Sequence, residues 1–219
     1  MNKYVLALEG GDGSGKTTVA QIIENHCLKN KVPYHYIGRN HHNAPKHIYA
    51  LTNVLQEFGN CYSARTEIMI RIAREIQRAT EGANILNGLV VYDRFVLSVL
   101  ARSYVDNIFD LPVEFLLDHA TAISGLNATI FIDCPFEIAW DRIQVAFLKT
   151  GENLSSKEKK GMEYNRIFLS HHKKLFETSE ITKNKIFLEN SIGKDVLKLK
   201  TLEHVDLIIT ELSKSINKY

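Results

Sequence analysis

Residues 4–18 of the chain read YVLALEGGDGSGKTT, and this stretch decides the fold. The apolar residues 4–8 predict a buried strand, and residues 10–17 fit the pattern G-x-x-x-x-G-K-[ST]. Glycines in this pattern let the backbone curl so that successive N–H groups point at phosphate oxygens. The helix that begins near Gly15 adds the positive end of its dipole. The strand, the loop and the helix together predict a site for a nucleoside triphosphate.

The polar side chains of this loop have separate predicted roles. Lys16 can reach the β- and γ-phosphates, and the hydroxyl of Thr17 can coordinate Mg²⁺. We predict that the whole loop binds the nucleotide, through Gly10, Gly11, Asp12, Gly13, Ser14, Gly15, Lys16, Thr17 and Thr18.

The composition favours one α/β domain over residues 1–219, since such domains can run to about 200–250 residues. A formal charge of +2 is too small to predict binding to nucleic acid or to a membrane surface. The three cysteines are scattered and form no C-x-x-C pair, which predicts reduced, buried thiols. No apolar run approaches the ~18 residues of a membrane span. We therefore expect a cytoplasmic protein with no nucleic-acid or membrane partner.

Short apolar segments alternate with helical ones along the chain. Strands are predicted over residues 4–8, 34–37, 89–92, 128–132 and 185–188. Helices are predicted over residues 16–30, 45–58, 64–86, 112–123, 135–148, 163–177 and 202–216. This alternation predicts a five-stranded parallel sheet with helices on both faces. Ligands of such sheets bind at the carboxyl ends of the strands, where the glycine loop, Asp93 and Asp133 fall.

An acid–base pair ends the predicted strand in the sequence VVYDR, residues 90–94. Asp93 could enter the Mg²⁺ shell or orient the acceptor, and Arg94 could neutralise charge on the transferring phosphoryl oxygens. The alternative is a surface ion pair. We favour the functional interpretation because the pair directly follows a buried strand.

A second acid, Asp133, ends the predicted strand of residues 128–132. It could lie near the metal through water, as in a Walker B element, or it could cap the helix that starts at Pro135. Both interpretations stay open from the sequence.

The polar stretch TGENLSSKEKKG, residues 150–161, lies between two predicted helices. It is either a solvated loop or part of a lid, about residues 149–166, that closes over the phosphates. A kinase needs such closure because water would otherwise hydrolyse the triphosphate. The cations that a lid could bring to the transferred group are Lys157, Lys159, Lys160 and Arg166.

Two groups of histidines have no metal-site spacing. His41, His42 and His47 predict an exposed loop or a wall of the acceptor site rather than a zinc site. His171 and His172 predict a helix surface.

Taken in order, these segments resemble the thymidylate kinase family. LALEGGDGSGKTT is similar to the P-loop of that family, including Glu9 and Asp12. Arg39 follows the second strand, as the family's arginine for the acceptor phosphate does, and residues 66–77 stand where the family has a long acceptor-site helix. VVYDRFVLS and IDCPFEIAWDRI match its Asp-Arg-aromatic segment and its Asp-x-Pro strand end. The resemblance covers most of the chain.

The resemblance implies the three-layer α/β sandwich of P-loop NTPases and a homodimeric kinase that uses ATP and Mg²⁺ to phosphorylate a small molecule. Asp12 would lie near the sugar hydroxyl of the acceptor. Arg39 and Arg74 would lie near its phosphate, and Arg94 would bridge donor and acceptor. The phosphoryl group would pass in line, with no covalent intermediate. The predicted catalytic residues are Lys16, Asp12, Asp93 and Arg94, and the predicted metal ligands are Thr17, Asp93 and Asp133.

The acceptor pocket departs from the family pattern. The family has a phenylalanine that stacks on thymine and an arginine four residues later, whereas this chain has Ile70 and Arg74 at that spacing. Val99 and Arg102 stand where the family has an amide or hydroxyl and a tyrosine. An aromatic ring stacked on a base contributes roughly 1–3 kcal/mol, so its loss predicts weaker thymine binding.

The arginines of the long helix allow two interpretations. Arg71, Arg74 and Arg78 form one stripe, which with Glu67 and Glu75 could be a solvated, ion-paired face. Alternatively, some of these arginines point into the pocket and bind an anionic acceptor. The predicted acceptor-binding residues are Asp12, Arg39, Ile70, Arg71, Arg74, Arg94, Val99 and Arg102.

The sequence leaves three hypotheses about function. The first is a nucleoside monophosphate kinase with dTMP as the default acceptor. The second is a kinase of the same fold for another acceptor: a nucleoside, a modified nucleotide or another small metabolite. The third is a nucleotide-binding protein without transfer activity. The residues of the donor loop argue against the third, because they are the types that the chemistry needs.

Overall fold

The computed structural model describes residues 2–39, 44–150, 160–191 and 193–216. The strands of this part are β1 (Lys3–Glu9), β2 (Tyr34–Ile37), β3 (Gly88–Asp93), β4 (Ala128–Asp133) and β5 (Lys185–Glu189). The helices are α1 (Lys16–Lys29), α2 (Lys46–Phe58), α3 (Ala64–Ala83), α4 (Val96–Val105), α5 (Val113–Ser124), α6 (Phe136–Thr150), α7 (Met162–Thr178) and α8 (Lys194–Ile216). A 3-10 turn, Gly59–Cys61, follows α2.

The five strands form one parallel sheet in the order β2-β3-β1-β4-β5. Helices α1 and α8 pack against one face, and α3, α4, α5 and α7 belong to the layer on the other face. The predicted parallel sheet with helices on both faces is therefore confirmed. Leu8 of β1 pairs with Asp93 of β3, and Glu9 pairs with Phe131 of β4. This register brings the glycine loop next to the carboxyl ends of β3 and β4.

The central strands are apolar on both sides because each face of the sheet is covered. In β1, Val5 and Ala7 enter the core of the α3–α4–α5–α7 face, and Leu6 and Leu8 enter the core of the α1–α8 face. Side chains alternate from one face of a strand to the other. This two-residue period determines which side chains of the neighbouring strands point toward each layer of helices.

Sequence patterns missed helix α4 and the first turns of α8. Helix α4 reads VLSVLARSYV, and its first eight residues are all buried. A short, largely apolar segment of this kind cannot be told from a buried strand by its sequence pattern alone. Helix α8 begins at Lys194 rather than at residue 202, because its start is polar.

Two smaller predictions were also wrong. Helix α3 ends at Ala83 rather than at residue 86, with Asn84 at its carboxyl cap. Cys61 is exposed, whereas Cys27 and Cys134 are buried as predicted. Ser63 caps the amino terminus of α3, since the N–H of Thr66 donates to its hydroxyl oxygen at 3.2 Å. None of the described helices is long and apolar enough to cross a membrane.

Candidate active site

The glycine loop between β1 and α1 is closely surrounded by backbone. Gly10 has φ +136°, and a Cβ atom there would lie 2.5 Å from the carbonyl oxygen of Ile132. Gly13 has φ +72°, and a Cβ atom there would collide with the carbonyl of Ala139 on α6. Side chains are thus excluded at both positions, which leaves backbone N–H groups to line the loop.

The cation of this loop is nearly buried. Lys16 is 9% exposed, and its Nζ donates to the carbonyl oxygens of Gly10 at 3.2 Å and Gly11 at 2.5 Å. Thr17 follows in the first turn of α1 and is exposed. The arrangement combines a cation, a hydroxyl and the positive end of a helix dipole, as binding of phosphates requires.

The end of β3 contacts the loop directly. The guanidinium of Arg94 forms an ion pair with the carboxylate of Asp12. Arg94 has φ +53°, and its N–H donates to the carbonyl oxygen of Leu8 at 2.8 Å. Burial, together with the charge of Asp93, raises the pKa of Tyr36 on the neighbouring strand. Asp12, Asp93 and Arg94 therefore lie together at one edge of the sheet.

At the end of β4, Asp133 faces helix α7. Its carboxylate accepts a hydrogen bond from Nζ of Lys173 at 2.9 Å. A cavity of about 330 Å³ opens beside this pair, next to Arg166 and Glu189. The ion pair with Lys173 involves one oxygen of Asp133. Both interpretations from the sequence, a metal ligand acting through water and a helix cap, therefore stay predictions.

A second cationic group surrounds Glu75 of α3, and we call it the Glu75 cluster: Arg39, Arg74, Glu75 and Arg78. Arg39 contacts the Glu75 carboxylate at 3.0 Å, Arg74 contacts it at 2.8 Å, and Arg78 also pairs with it. Glu75 and Arg78 are fully buried, and Arg74 is nearly so. The arginine stripe of α3 is ion-paired as one interpretation expected, but it is not a solvated face.

The charges of this cluster shift the pKa values of its members. Burial opposes ionisation of Glu75, yet the guanidinium groups of Arg39, Arg78 and Arg74 lower its pKa to about 2. Burial lowers the pKa of Arg39 to about 10. Three guanidinium groups thus share one carboxylate, which leaves an excess of positive charge.

The Glu75 cluster is also joined to the end of β3. Arg39 donates to the carbonyl oxygen of Phe95 at 3.0 Å and to the hydroxyl of Ser98 at 3.0 Å. Arg78 donates to the carbonyl oxygen of Arg94 at 2.7 Å. Within the described part of the chain, the buried Nε of Arg39 has no hydrogen-bond partner.

Other predicted acceptor residues lie in a separate ion-paired group, which we call the α3–α4–α7 network: Glu67, Arg71, Arg102, Asp106, Lys160 and Tyr164. The carboxylate of Glu67 pairs with Arg71 at 2.5 Å and with Arg102 at 3.2 Å. Arg102 also pairs with Asp106 at 2.6 Å, and the hydroxyl of Tyr164 donates to Asp106 at 2.9 Å. The i,i+4 pair of Glu67 with Arg71 agrees with the ion-paired face that the sequence allowed. The contacts of Arg102 with Glu67 and of Tyr164 with Asp106, in contrast, join residues far apart along the chain.

Several predicted residues have other surroundings than expected. Val99 is 1% exposed and packs in the hydrophobic core, while Ile70 is half-buried. His172 is fully buried, not on a helix surface, and its Nε2 lies 3.1 Å from Oε2 of Glu9. His47 pairs with Glu81 at 2.9 Å. His41, His42, Lys157 and Lys159 lie outside the described residues, as does the middle of the predicted lid.

The sheet order, the glycine loop and the lysine at its end define an α/β nucleoside triphosphate-binding protein of the P-loop class. A family model for thymidylate kinase matches residues 8–196. The chain therefore belongs to the thymidylate kinase family, and it is a phosphotransferase. Membership implies ATP-dependent phosphorylation of a nucleoside monophosphate.

Two curated relatives agree with this assignment. The thymidylate kinase of Symbiobacterium thermophilum is 28% identical over 172 residues, which cover 74% of this chain and 74% of that protein. The thymidylate kinase of Pediococcus pentosaceus is 28% identical over 147 residues, which cover 65% of this chain and 70% of that protein.

Proposed function

We propose that the protein transfers the γ-phosphoryl group of ATP to dTMP and so forms dTDP. The observation that carries this proposal is the ion pair between Asp12 and Arg94. Asp12 belongs to the donor loop, and the carbonyl of Arg94 accepts a hydrogen bond from Arg78 of the Glu75 cluster. Arg94 thus joins the phosphate-binding loop, through its side chain, to the Glu75 cluster, through its carbonyl. The positive charge of that cluster is suited to a second phosphate.

The excess charge of the Glu75 cluster supports a phosphorylated acceptor. Three guanidinium groups meet one carboxylate, and a phosphate would add the missing negative charge. The buried Nε of Arg39 adds a hydrogen-bond donor. Arg94, at the boundary, would neutralise charge that spreads over the transferring phosphoryl oxygens.

The donor side supports binding of Mg·ATP. Thr17, Asp93 and Asp133 offer hydroxyl and carboxylate oxygens, which are the ligands that Mg²⁺ prefers, in part through water. When bound, Mg²⁺ neutralises phosphate charge. Lys16 would hold the β- and γ-phosphates, and the loop N–H groups would orient them. The protein would also align the γ-phosphoryl group of ATP with the acceptor and exclude water from the site.

One observation favours a second candidate, a kinase of the same fold with a different acceptor. Ile70 offers no aromatic ring for a base, and Glu67 and Arg102 of the α3–α4–α7 network carry buried charges on neighbouring helices. These charges already pair within the network, so the observation that favours another acceptor is the missing ring at Ile70, without which thymine loses its stacking contact.

An acceptor panel tests both candidates. ADP release from ATP is measured with dTMP, other nucleoside monophosphates, nucleosides and small alcohols as acceptors. We expect dTMP to give the highest rate, at least ~1 s⁻¹. A rate with dTMP lower by several orders of magnitude, beside a high rate with another compound, would replace dTMP by that compound. Heat stabilisation by ATP without turnover on any acceptor would indicate a binding protein instead.

Three further properties stay proposals. The homodimer implied by the family resemblance can be tested by sedimentation velocity. Closure of a lid over residues 149–166 can be tested by protection from proteolysis when ATP and acceptor are bound. A cytoplasmic location can be tested by fractionation.

A further inference from the structure

A buried acid–base pair lies beneath the end of β3. Glu9 is the last residue of β1 and is 1% exposed, and His172 of α7 is fully buried. Nε2 of His172 lies 3.1 Å from Oε2 of Glu9. The His172 ring also packs against Phe131 and Phe168, with centroid distances of 5.2 and 5.4 Å. The imidazole is therefore fixed in place from three sides.

The other oxygen of Glu9 holds the start of α4. Oε1 of Glu9 accepts hydrogen bonds from the N–H of Phe95 at 2.8 Å and from the N–H of Leu97 at 3.2 Å. These N–H groups belong to the first turn of the helix, which has no intrahelical acceptors for them. One carboxylate thus connects α7 with the residues that directly follow Arg94.

The segment 93–95, which we call the Arg94 turn, needs such support. Arg94 has φ +53°, a left-handed conformation that disfavours residues with a side chain. Such a conformation persists only when the surrounding structure holds it in place. On one side Arg94 is held by the hydrogen bond of its N–H to Leu8, and on the other by Glu9 through Phe95.

In the pair of Glu9 and His172, the histidine donates the hydrogen bond. Burial opposes ionisation of Glu9, but the hydrogen bond and charge of His172, with Arg39 nearby, lower its pKa overall. A carboxylate can only accept hydrogen bonds, so Nε2 of His172 must carry the proton. The orientation of Glu9, with Oε1 toward α4, then depends on this donor.

We propose that Glu9 and His172 are positioning residues that lock the Arg94 turn, so that the Arg94 guanidinium stays against Asp12 and faces the transferred phosphate. The role in transfer rests on the proposed function, in which Arg94 neutralises charge on the transferred phosphoryl group. Because His172 lies on α7, which follows the predicted lid, the pair also connects that helix with the reacting centre.

Hydrogen exchange tests the positioning itself, with no acceptor needed. In His172→Leu, which fills the buried position with an apolar side chain and removes the hydrogen-bond donor, we expect the amides of Phe95 and Leu97 to exchange at least tenfold faster. In His172→Gln, whose amide nitrogen can reach the position of Nε2, exchange should stay within threefold of the wild type. His171→Leu is the matched control, since His171 is a partly exposed neighbour close to Tyr104.

Two exchange results would overturn the proposal. One is unchanged exchange at residues 95–97 in His172→Leu. The other is faster exchange everywhere, including strands β1 and β3, which would indicate loss of general stability. If His172→Leu does not fold, the isosteric Glu9→Gln provides the same test, because a neutral amide holds the two N–H groups less strongly.

Turnover tests the connection with Arg94. We expect His172→Leu to lower kcat at least tenfold, with the KM for ATP within threefold of the wild type. In an Arg94→Ala background the same substitution should lower kcat less than twofold, since the residue through which it acts is gone. An equal loss in both backgrounds would contradict the proposal. Absence of transfer by the wild type would refute the proposed function, while the exchange result would still decide the positioning role.

Discussion

At the scale of single residues, buried charge marks both the glycine loop and the Glu75 cluster, which we propose as the donor and acceptor sides of the site. On the donor side, Lys16 is a nearly buried cation held by two loop carbonyls. On the proposed acceptor side, the buried carboxylate of Glu75 pairs with three guanidinium groups. Removal of either residue leaves polar groups without their partners, so both substitutions should have large effects.

Lys16→Ala should lower the rate of phosphoryl transfer at least 100-fold, because loss of a preorganised electrostatic contact to the phosphates costs about 3 kcal/mol or more of transition-state stabilisation. The measurement is the initial rate of ADP formation with saturating acceptor. Lys29→Ala is the control, since Lys29 is exposed at the other end of the same helix. Unchanged turnover in Lys16→Ala would disprove the role of the loop.

Glu75→Gln should destabilise the protein by about 3–5 kcal/mol at pH 7, because three arginines lose a buried counter-ion. Urea denaturation measures this difference in the free energy of unfolding. Glu203→Gln, an exposed substitution on α8, should change it by less than about 0.5 kcal/mol.

The difference in unfolding free energy between the wild type and Glu75→Gln should decrease as the pH falls. Glu75 has a pKa of about 2 in the folded protein and an ordinary value of 4.5 in the unfolded chain. Its stabilising contribution is therefore complete above pH 4.5 and decreases as the pH falls toward 2. At pH 3.5 the difference between wild type and Glu75→Gln should be smaller by about 1 kcal/mol than at pH 7. A difference that grows on acidification would contradict this assignment.

At the scale of secondary-structure elements, the sequence predicted all the described strands, but it missed helix α4 and the first turns of α8. The strands are short apolar runs bounded by polar residues, and each was predicted to within two residues of its observed ends. The loop could be predicted because its motif lies between a predicted strand and a predicted helix, which is the context that this motif requires. Helix α4 escaped prediction because it is a short, largely apolar segment that directly follows β3, and such a segment is hard to tell from a buried strand by pattern alone.

Helix α6 packs closely against the glycine loop at Gly13, and from this contact we predict the effect of a substitution there. A methyl group at this position would collide with the carbonyl of Ala139, so Gly13→Ala should weaken binding of Mg·ATP at least tenfold. Isothermal titration calorimetry measures the affinity. Gly125→Ala is a matched control, since Gly125 also has a positive φ, +68°, but its Cβ would meet nothing within 4 Å. The control should cost about 1 kcal/mol of stability through backbone strain and leave ATP affinity unchanged. Equal affinity in both variants would contradict the role of this contact.

At the scale of the whole molecule, the partners of the site residues come from distant elements. Arg94 meets Asp12 because β3 lies beside β1 in the sheet. The sequence predicted that both residues lie at the carboxyl edge of the sheet, but not which strands are neighbours. The contacts of Arg102 with Glu67, and of His172 with Glu9, depend on how α4 and α7 pack. Because such pairs join residues that are distant along the chain, the sequence could place the glycine loop and the strand ends at one edge of the sheet but could not predict these contacts.

Transfer of isotopic label from ATP to dTMP tests the proposed reaction most directly. ATP labelled in its γ-phosphate is incubated with Mg²⁺, dTMP and the protein, and the products are separated by chromatography. We predict that the label appears in the β-phosphate of dTDP, in a one-to-one ratio with ADP and at no less than ~1 s⁻¹. Label that appears only in inorganic phosphate, or that stays in ATP, would contradict the assignment of dTMP as acceptor.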